Sequence, residues 1–185
     1  MANEEVKKSE NKRPNNNNKR KPFKKMERKQ LNGQIIEMKP VVKVTKGGRT
    51  RRFSVTYAVG NGKGLVGIGT GKAKEPTDAR RKAEAAAGKN LIKVPIVDNR
   101  TLPHDTTGKC GRAKVLLKSA KPGTGVIAGG TARIILELAG VKDVVSKSLG
   151  SNTKINVAKA TIDALNSLRT KEQIAALRDK KVEEL

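Results

Sequence analysis

Residues 60–75 read GNGKGLVGIGTGKAKE, and six glycines fall within the first twelve positions. Gly62 to Gly67 matches G-x-G-x-x-G, the pattern of dinucleotide-binding and kinase phosphate loops. Such a dinucleotide loop leads directly from a strand into a helix, whose free N–H groups meet the phosphates. Here Gly67 continues into IGTGK, which alternates as a strand does, and the predicted helix starts about nine residues later. The stretch therefore predicts a glycine-rich hairpin instead of a nucleotide site.

Other catalytic patterns are also incomplete. Ala73 follows Gly71-Lys72, so the hydroxyl of a P-loop is missing, and Val66 stands where its first glycine belongs. No H-R-D or D-F-G motif is present. The single His104 and single Cys110 provide neither a zinc ligand set nor an oriented catalytic pair. The sequence predicts no enzyme, no cofactor, no metal site and no small-molecule substrate.

Strands flank the glycine stretch, and a helix follows it. Alternating apolar residues lie on either side of a predicted turn, Lys46-Gly47-Gly48-Arg49: Val42 and Val44 before it, and Val55, Tyr57 and Val59 after it. Asn61-Gly62 predicts a second, type I′ turn, because both residues tolerate positive φ. In the next strand one face carries Leu65, Gly67, Gly69 and Gly71. The helix, from Asp78 to about Leu91, carries an alanine stripe that suits close approach to the sheet: Ala79, Ala83, Ala86 and Ala87.

The second half predicts a separate α/β unit. Its pattern is a strand at 113–118, a helix at 131–139 ended by Gly140, a strand at 143–149, and a helix capped by Asn152. Strand, helix, strand, helix is typical of such a unit. Thr170 and Gln173 predict a capping box at the start of a last short helix.

The charge indicates the partner. The net charge of +24 needs a polyanion, and because the chain has neither an apolar membrane segment nor a signal peptide, nucleic acid is favoured over a membrane. A single cysteine fits a reducing cytoplasm. Residues 1–94 hold 25 basic and 8 acidic side chains, and residues 1–30 predict a disordered basic tail. Phe23, Phe53 and Tyr57 are the only aromatics, which favours folded, largely double-helical RNA over stacked single strands.

Four segments resemble a known family in order and spacing. They are VVKVTKGGR (41–49), FSVTYAVGNGKGLVGIGTGKAKE (53–75), GTGVIAGGTARIILELAGVKDV (123–144) and SKSLGSNTKINVAKATIDAL (146–165). From about Leu31 to the end, the chain resembles the bacterial small-subunit ribosomal protein S5 family. Residues 1–30 are outside the family pattern, Pro40 replaces a usual arginine, and Arg51 replaces a frequent aromatic.

The resemblance implies an α+β fold with four regions. These are the tail (1–30), a domain like double-stranded-RNA-binding modules with a sheet and one helix (31–95), a C-terminal β-α-β-α domain (96–170), and a C-terminal helix or tail (171–185). It also implies a structural protein of the cytoplasmic small ribosomal subunit. Such a protein stabilises the head relative to the body and contributes to accuracy. The resemblance implies contacts with ribosomal RNA, with ribosomal proteins S4, S8 and S3, and with messenger RNA where it enters the subunit.

The predicted site residues follow from the basic pattern and the resemblance together. Ribosomal RNA is predicted to contact Lys43, Lys46, Gly47, Gly48, Arg49, Arg51, Arg52, Asn61, Lys63, Lys72, Lys74, Arg81, Lys82 and Lys89. Lys46, Gly47 and Gly48 are expected near the RNA helix that binds spectinomycin. Gly123, Gly125 and Arg133 are expected to face a neighbouring protein, S4. The alternative interpretation is a free regulator or RNA chaperone that binds double-stranded RNA.

Overall fold

The computed structural model describes residues 31–180 and residue 182, so the predicted tail at 1–30 lies outside the described residues. The first sheet is antiparallel, and its four strands follow the chain order. Its strands are β1 (Asn32–Thr45), β2 (Gly48–Gly60), β3 (Leu65–Ala73) and β4 (Leu91–Lys93), and α1 (Pro76–Lys89) joins β3 to β4.

The glycines of β3 lie directly under α1. A Cβ atom at Gly69 would lie 2.3 Å from the Ala83 carbonyl oxygen, and one at Gly71 would lie 2.3 Å from that of Ala79. The facing alanines of the helix, Ala79, Ala83 and Ala87, are fully buried. Two elements without bulky side chains can approach until their backbones touch, as the sequence pattern predicts. The glycine stretch is therefore a packing surface for a helix.

The second sheet has the order β5-β6-β8-β7. Its elements are β5 (Thr106–Cys110), β6 (Ala113–Ser119), β7 (Val126–Ile127), α2 (Gly130–Ala139), β8 (Val144–Gly150), α3 (Lys154–Asn166) and α4 (Lys171–Leu177). β7 and β8 are parallel, and α2 forms the crossover between them. The α+β fold class predicted from the sequence is confirmed.

One hydrophobic cluster extends across both sheets. Ile36, Ala58 and Val66 of the first sheet belong to the same cluster as Leu136 of α2 and Leu165 of α3. Ile36 reaches this cluster because the β1–β2 register shifts between Ile35 and Glu37, which is a β-bulge. The two sheets therefore share a core, and the predicted domain boundaries stay predictions.

The loop between β2 and β3 forms a second connection between the sheets. The N–H groups of Gly62 and Gly64 donate to the carbonyl oxygens of Leu138 (3.0 Å) and Ala139 (2.8 Å) at the C-terminus of α2. These carbonyls have no partner inside their own helix. Gly140 ends α2 with φ of 89°, as predicted, and a Cβ there would lie 2.1 Å from the Gly62 oxygen.

Several local predictions are wrong. Asn61-Gly62 is part of a four-residue loop in which Gly62 and Gly64, but not Asn61, have positive φ, so no type I′ turn forms. Thr153 precedes α3 in the N-cap position expected for Asn152, and its side chain makes no capping bond. The short strands β4, β5 and β7 were not predicted. The capping box of Thr170 and Gln173 is confirmed.

Substitution of Gly69 by alanine is expected to destabilise the fold by about 3 kcal/mol, the upper range for an over-packed core, because the added methyl meets helix backbone. Gly88 in α1 faces open space, so Gly88→Ala should stabilise by about 0.5–1 kcal/mol. Urea unfolding of both variants measures the difference. Equal stabilities would contradict the close contact between α1 and β3.

Candidate nucleic-acid interface

The distal part of the β1–β2 hairpin projects from the body, and we call residues 38–52 the arm. Every residue of the arm is exposed. It contains six basic side chains and no acidic one. The basic residues are Lys39, Lys43, Lys46, Arg49, Arg51 and Arg52. Such a segment is an electrostatic surface for a polyanion.

Both faces of the arm are positive. Partners across an antiparallel pair share a face, so the pairing of Val41 with Arg52 places Arg52 on the face that also carries Lys39 and Lys43. The opposite face carries Arg49 and Arg51, which lie across from Val44 and Val42. Phosphates on either side of the arm would meet a cation.

The tip of the arm is a two-residue turn. Thr45 pairs with Gly48, and Lys46 and Gly47 connect them. Gly48 has φ of 151°, which favours glycine, whereas Gly47 does not have positive φ. A Cβ at either glycine would meet nothing within 4 Å. Gly48 and Arg49, predicted as turn residues, are the first residues of β2.

The two family departures lie on the arm and are compatible with it. Pro40 is in β1, the edge strand of the sheet, where a missing N–H is tolerated. Arg51 is exposed and lies opposite Val42, so it adds a charge without disturbing the core.

The base of the arm contacts α3 through Glu37. Its carboxylate lies 3.0 Å from the Lys39 Nζ and 3.9 Å from the Lys154 Nζ of α3, and its side chain is only 13% exposed. Lys39, Ser54 and Lys72 form one row across β1, β2 and β3. Glu37 therefore neutralises part of the charge at this base and lies next to Lys154 of α3.

The basic residues of α1 form a second surface. Arg81, Lys82 and Lys89 are exposed, and Lys74 is exposed just before the helix. Arg80 lies over the Tyr57 ring at 5.6 Å from its centroid, a cation–π contact that sequence reasoning missed. Tyr57 is buried and is one of three aromatic residues in the chain. Its place in the alternating pattern of β2 was the one sequence signal from which this contact could have been predicted.

Asn61 and Lys63 are far from the tip. They follow the end of β2, roughly 40 Å from Gly48 at about 3.4 Å per strand residue. The Asn61 Oδ1 accepts hydrogen bonds from the N–H groups of Lys63 (2.8 Å) and Leu65 (2.9 Å). The structure therefore divides the predicted RNA-binding residues between two ends of the sheet, and it gives Asn61 a role in its own loop.

The residues predicted to face a neighbouring protein lie around β7. Gly123 and Gly125 have φ of 86° and 73°, and the Gly125 N–H donates to the Asp143 Oδ1 at 2.8 Å. The Arg100 Nε lies 3.5 Å from the other carboxylate oxygen of Asp143. Sequence reasoning missed both Arg100 and Asp143, because residues 18 or more positions from the loop give no local pattern.

Arg133, also predicted to face a neighbouring protein, already has contacts within the chain. Its Nη2 donates to the Val126 carbonyl oxygen at 3.3 Å, and its Nε lies 3.2 Å from the Glu137 carboxylate. The side chain is still 55% exposed. The guanidinium is thus held in one orientation beside the Gly125 loop while part of it faces solvent.

The described residues contain no cluster of three or more metal-ligating side chains. None of the helices in residues 31–180 is long and apolar enough to cross a membrane. An exposed basic ribbon and a basic helix on an α+β body are features of a nucleic-acid-binding protein.

Comparison with protein families identifies the family to which the chain belongs. Residues 31–95 match the family model "Ribosomal protein S5, N-terminal domain", and residues 108–178 match "Ribosomal protein S5, C-terminal domain". The chain therefore belongs to the ribosomal protein S5 family, which is a family of structural proteins of the small ribosomal subunit that act in translation.

The role of Asn61 can be tested by two substitutions. Asn61→Ala removes the acceptor of two N–H groups and should destabilise by about 1–2 kcal/mol. Asn61→Asp keeps the acceptor and should retain the wild-type stability in urea unfolding. If Asn61 instead contacts RNA phosphate, Asn61→Asp should markedly weaken RNA binding in a filter-binding titration.

Proposed function

We propose that this protein holds small-subunit ribosomal RNA through the arm and the basic surface of α1. The proposal rests above all on the arm, in which six cations and no anion project from the body. Lysine and arginine on a strand pair can meet phosphates of a double-helical RNA, whose wide minor groove is read mainly by shape and backbone. Glycines at the tip allow close approach of the backbone to that RNA.

In the same proposal the protein stabilises the head of the subunit relative to the body. A bridge of this kind needs two surfaces in a fixed relation. The shared hydrophobic cluster and the bonds from Gly62 and Gly64 to α2 support such a fixed relation. The turn at Lys46 to Gly48 is the part that we place near the RNA helix that binds spectinomycin.

Protein neighbours complete the proposal. We place S4 at the Gly123, Gly125 and Arg133 surface, with S8 and S3 as further neighbours, and messenger RNA near the point where it enters the subunit. Two observations favour the S4 contact. Asp143 holds the Gly125 loop by a hydrogen bond, and Arg133 is held in one orientation. If S4 moves against this surface during decoding, the surface contributes to translational accuracy.

Replacement of Lys43, Lys46, Arg49 and Arg52 by glutamate is expected to abolish specific binding to a small-subunit RNA fragment. Deletion of residues 1–30, which hold 11 basic and 4 acidic side chains, should leave the site unchanged and give a shallower salt dependence. The expected slope of log affinity against log salt is roughly 0.7 to 0.9 per neutralised phosphate. A salt titration of both variants on one RNA fragment measures these effects.

A matched control separates the arm from net charge alone. It reverses four exposed cations away from the arm: Lys121, Lys171, Arg178 and Lys180. This control should keep specific binding. Loss of the RNA site in the control or in the tail deletion, with retention in the arm variant, would overturn the assignment.

Arg133→Ala is expected to change translational accuracy more than subunit assembly, because interface energy is concentrated in few residues. Arg133→Lys keeps the charge but loses the fork of donors and should give a smaller change. Stop-codon readthrough and misincorporation reporters measure accuracy, with Lys171→Ala as the control. Unchanged accuracy in Arg133→Ala would remove this residue from the proposed contact.

A further inference from the structure

The second sheet has one side on which the described residues place no helix. α2 and α3 pack on the other side, where Val115, Leu117 and Val144 are fully buried. Side chains at alternating positions of β5, β6 and β8 point away from these helices. We call this side the outer face, and its basic residues are Lys109, Lys114, Lys118 and Lys147, all exposed.

Two of the outer-face lysines have a like charge as their direct neighbour in the free protein. Lys109 and Lys114 lie directly opposite each other on β5 and β6, and like charges in this position are destabilising. On the next strand Lys147 lies opposite Leu116. Within residues 31–180, none of the four outer-face lysines forms an ion pair.

Three carboxylates near this sheet already have partners in the chain. The Asp163 Oδ2 of α3 accepts a hydrogen bond from the Lys109 backbone N–H at 3.0 Å. The Asp105 Oδ1, at the end of β5, accepts a hydrogen bond from the Ser119 N–H at 2.9 Å. Asp143, just before β8, contacts Arg100 and the Gly125 N–H. None of the three forms an ion pair with an outer-face lysine, so these four side chains have no ion-paired carboxylate among the described residues.

Aliphatic side chains lie between these lysines. Leu149 is 44% exposed and lies opposite Lys114, Ile127 on β7 is 54% exposed, and Leu116 is half-buried in the middle of the sheet. Exposed aliphatic side chains among charged ones are typical of a protein interface. RNA phosphates would neutralise the lysines but would leave the aliphatic side chains without apolar contact.

We propose that the outer face binds an acidic protein surface. Carboxylates of the partner meet the four lysines, and its aliphatic side chains pack against Leu116, Leu149 and Ile127. The face carries no aromatic ring on which an RNA base could stack. Residues 1–30 of the chain itself are excluded as the occupant by charge, since they hold 11 basic against 4 acidic side chains. This interface is additional to the RNA contacts and to the proposed contact at Arg133.

The first test uses the full-length double variant Lys114→Glu/Lys147→Glu, incorporated into small ribosomal subunits. We expect a salt wash to release it about tenfold more readily than the control Lys171→Glu/Lys180→Glu, which changes the net charge equally. Affinity for the isolated RNA fragment should match that of the control. Equal release of both variants overturns the proposal, and so does RNA binding that is selectively weakened in the outer-face variant.

The second test places a benzophenone photo-crosslinker at Leu149 in small subunits, with Leu177, which is 66% exposed, as the reference position. The expected product is a protein adduct whose crosslinked peptide contains aspartate or glutamate beside aliphatic residues. An adduct that ribonuclease removes, or no adduct at Leu149, overturns the proposal. Failure of the RNA-binding proposal is distinguishable, because it appears in the arm variants and leaves this crosslink unaffected.

Discussion

The backbone contact between α1 and β3 is the constraint on which the rest of the first sheet depends. Gly67, Gly69 and Gly71 have no Cβ where β3 meets the helix, and Ala79, Ala83 and Ala87 present only methyl groups in return. A helix seated this close has little freedom to shift, because any side-chain atom added between the backbones would clash. The contact therefore fixes where the basic residues of α1 lie relative to the arm.

Close backbone contacts at glycine recur elsewhere in the chain. Gly108 of β5 lies under α3, where a Cβ would be 2.0 Å from the Ala160 oxygen. Gly60 and Gly140 allow the β2–β3 loop to reach the end of α2. With aromatic residues at only 2% of the chain, the core has few large side chains to fill gaps. Close backbone packing at glycine supplies the density that larger side chains supply in other cores.

The features that could be predicted from the sequence are those with a local cause. The alanine stripe of α1, the C-terminal glycine of α2 and the capping box at Thr170 each depend on residues within one or two helical turns. The full length of β1 could not be predicted, because the bulge at Ile36 interrupts the period-two pattern. Strands as short as β7, with two residues, carry no periodic signal at all.

The site was predictable in composition but not in geometry. The basic residues around the tip of the arm are visible in the sequence, whereas the bonds from Gly62 and Gly64 depend on carbonyls more than 70 residues away. The pair formed by Glu37 and Lys154 is equally non-local. Long-range partners of this kind decide which of the predicted residues stay free to bind and which, like Asn61, are used in the fold.

The arm needs anions, and the other described residues supply few of them. A two-stranded ribbon is only marginally stable by itself in water, and six cations within fifteen residues repel one another. Removing the repulsion requires anions, and the described residues supply only Glu37 at the base. Binding to phosphates would therefore both neutralise the arm and favour its ordered state. The same Glu37 carboxylate also lies near Lys154 of α3, so one anion interacts with the charge of the arm and with the charge of a helix on the second sheet.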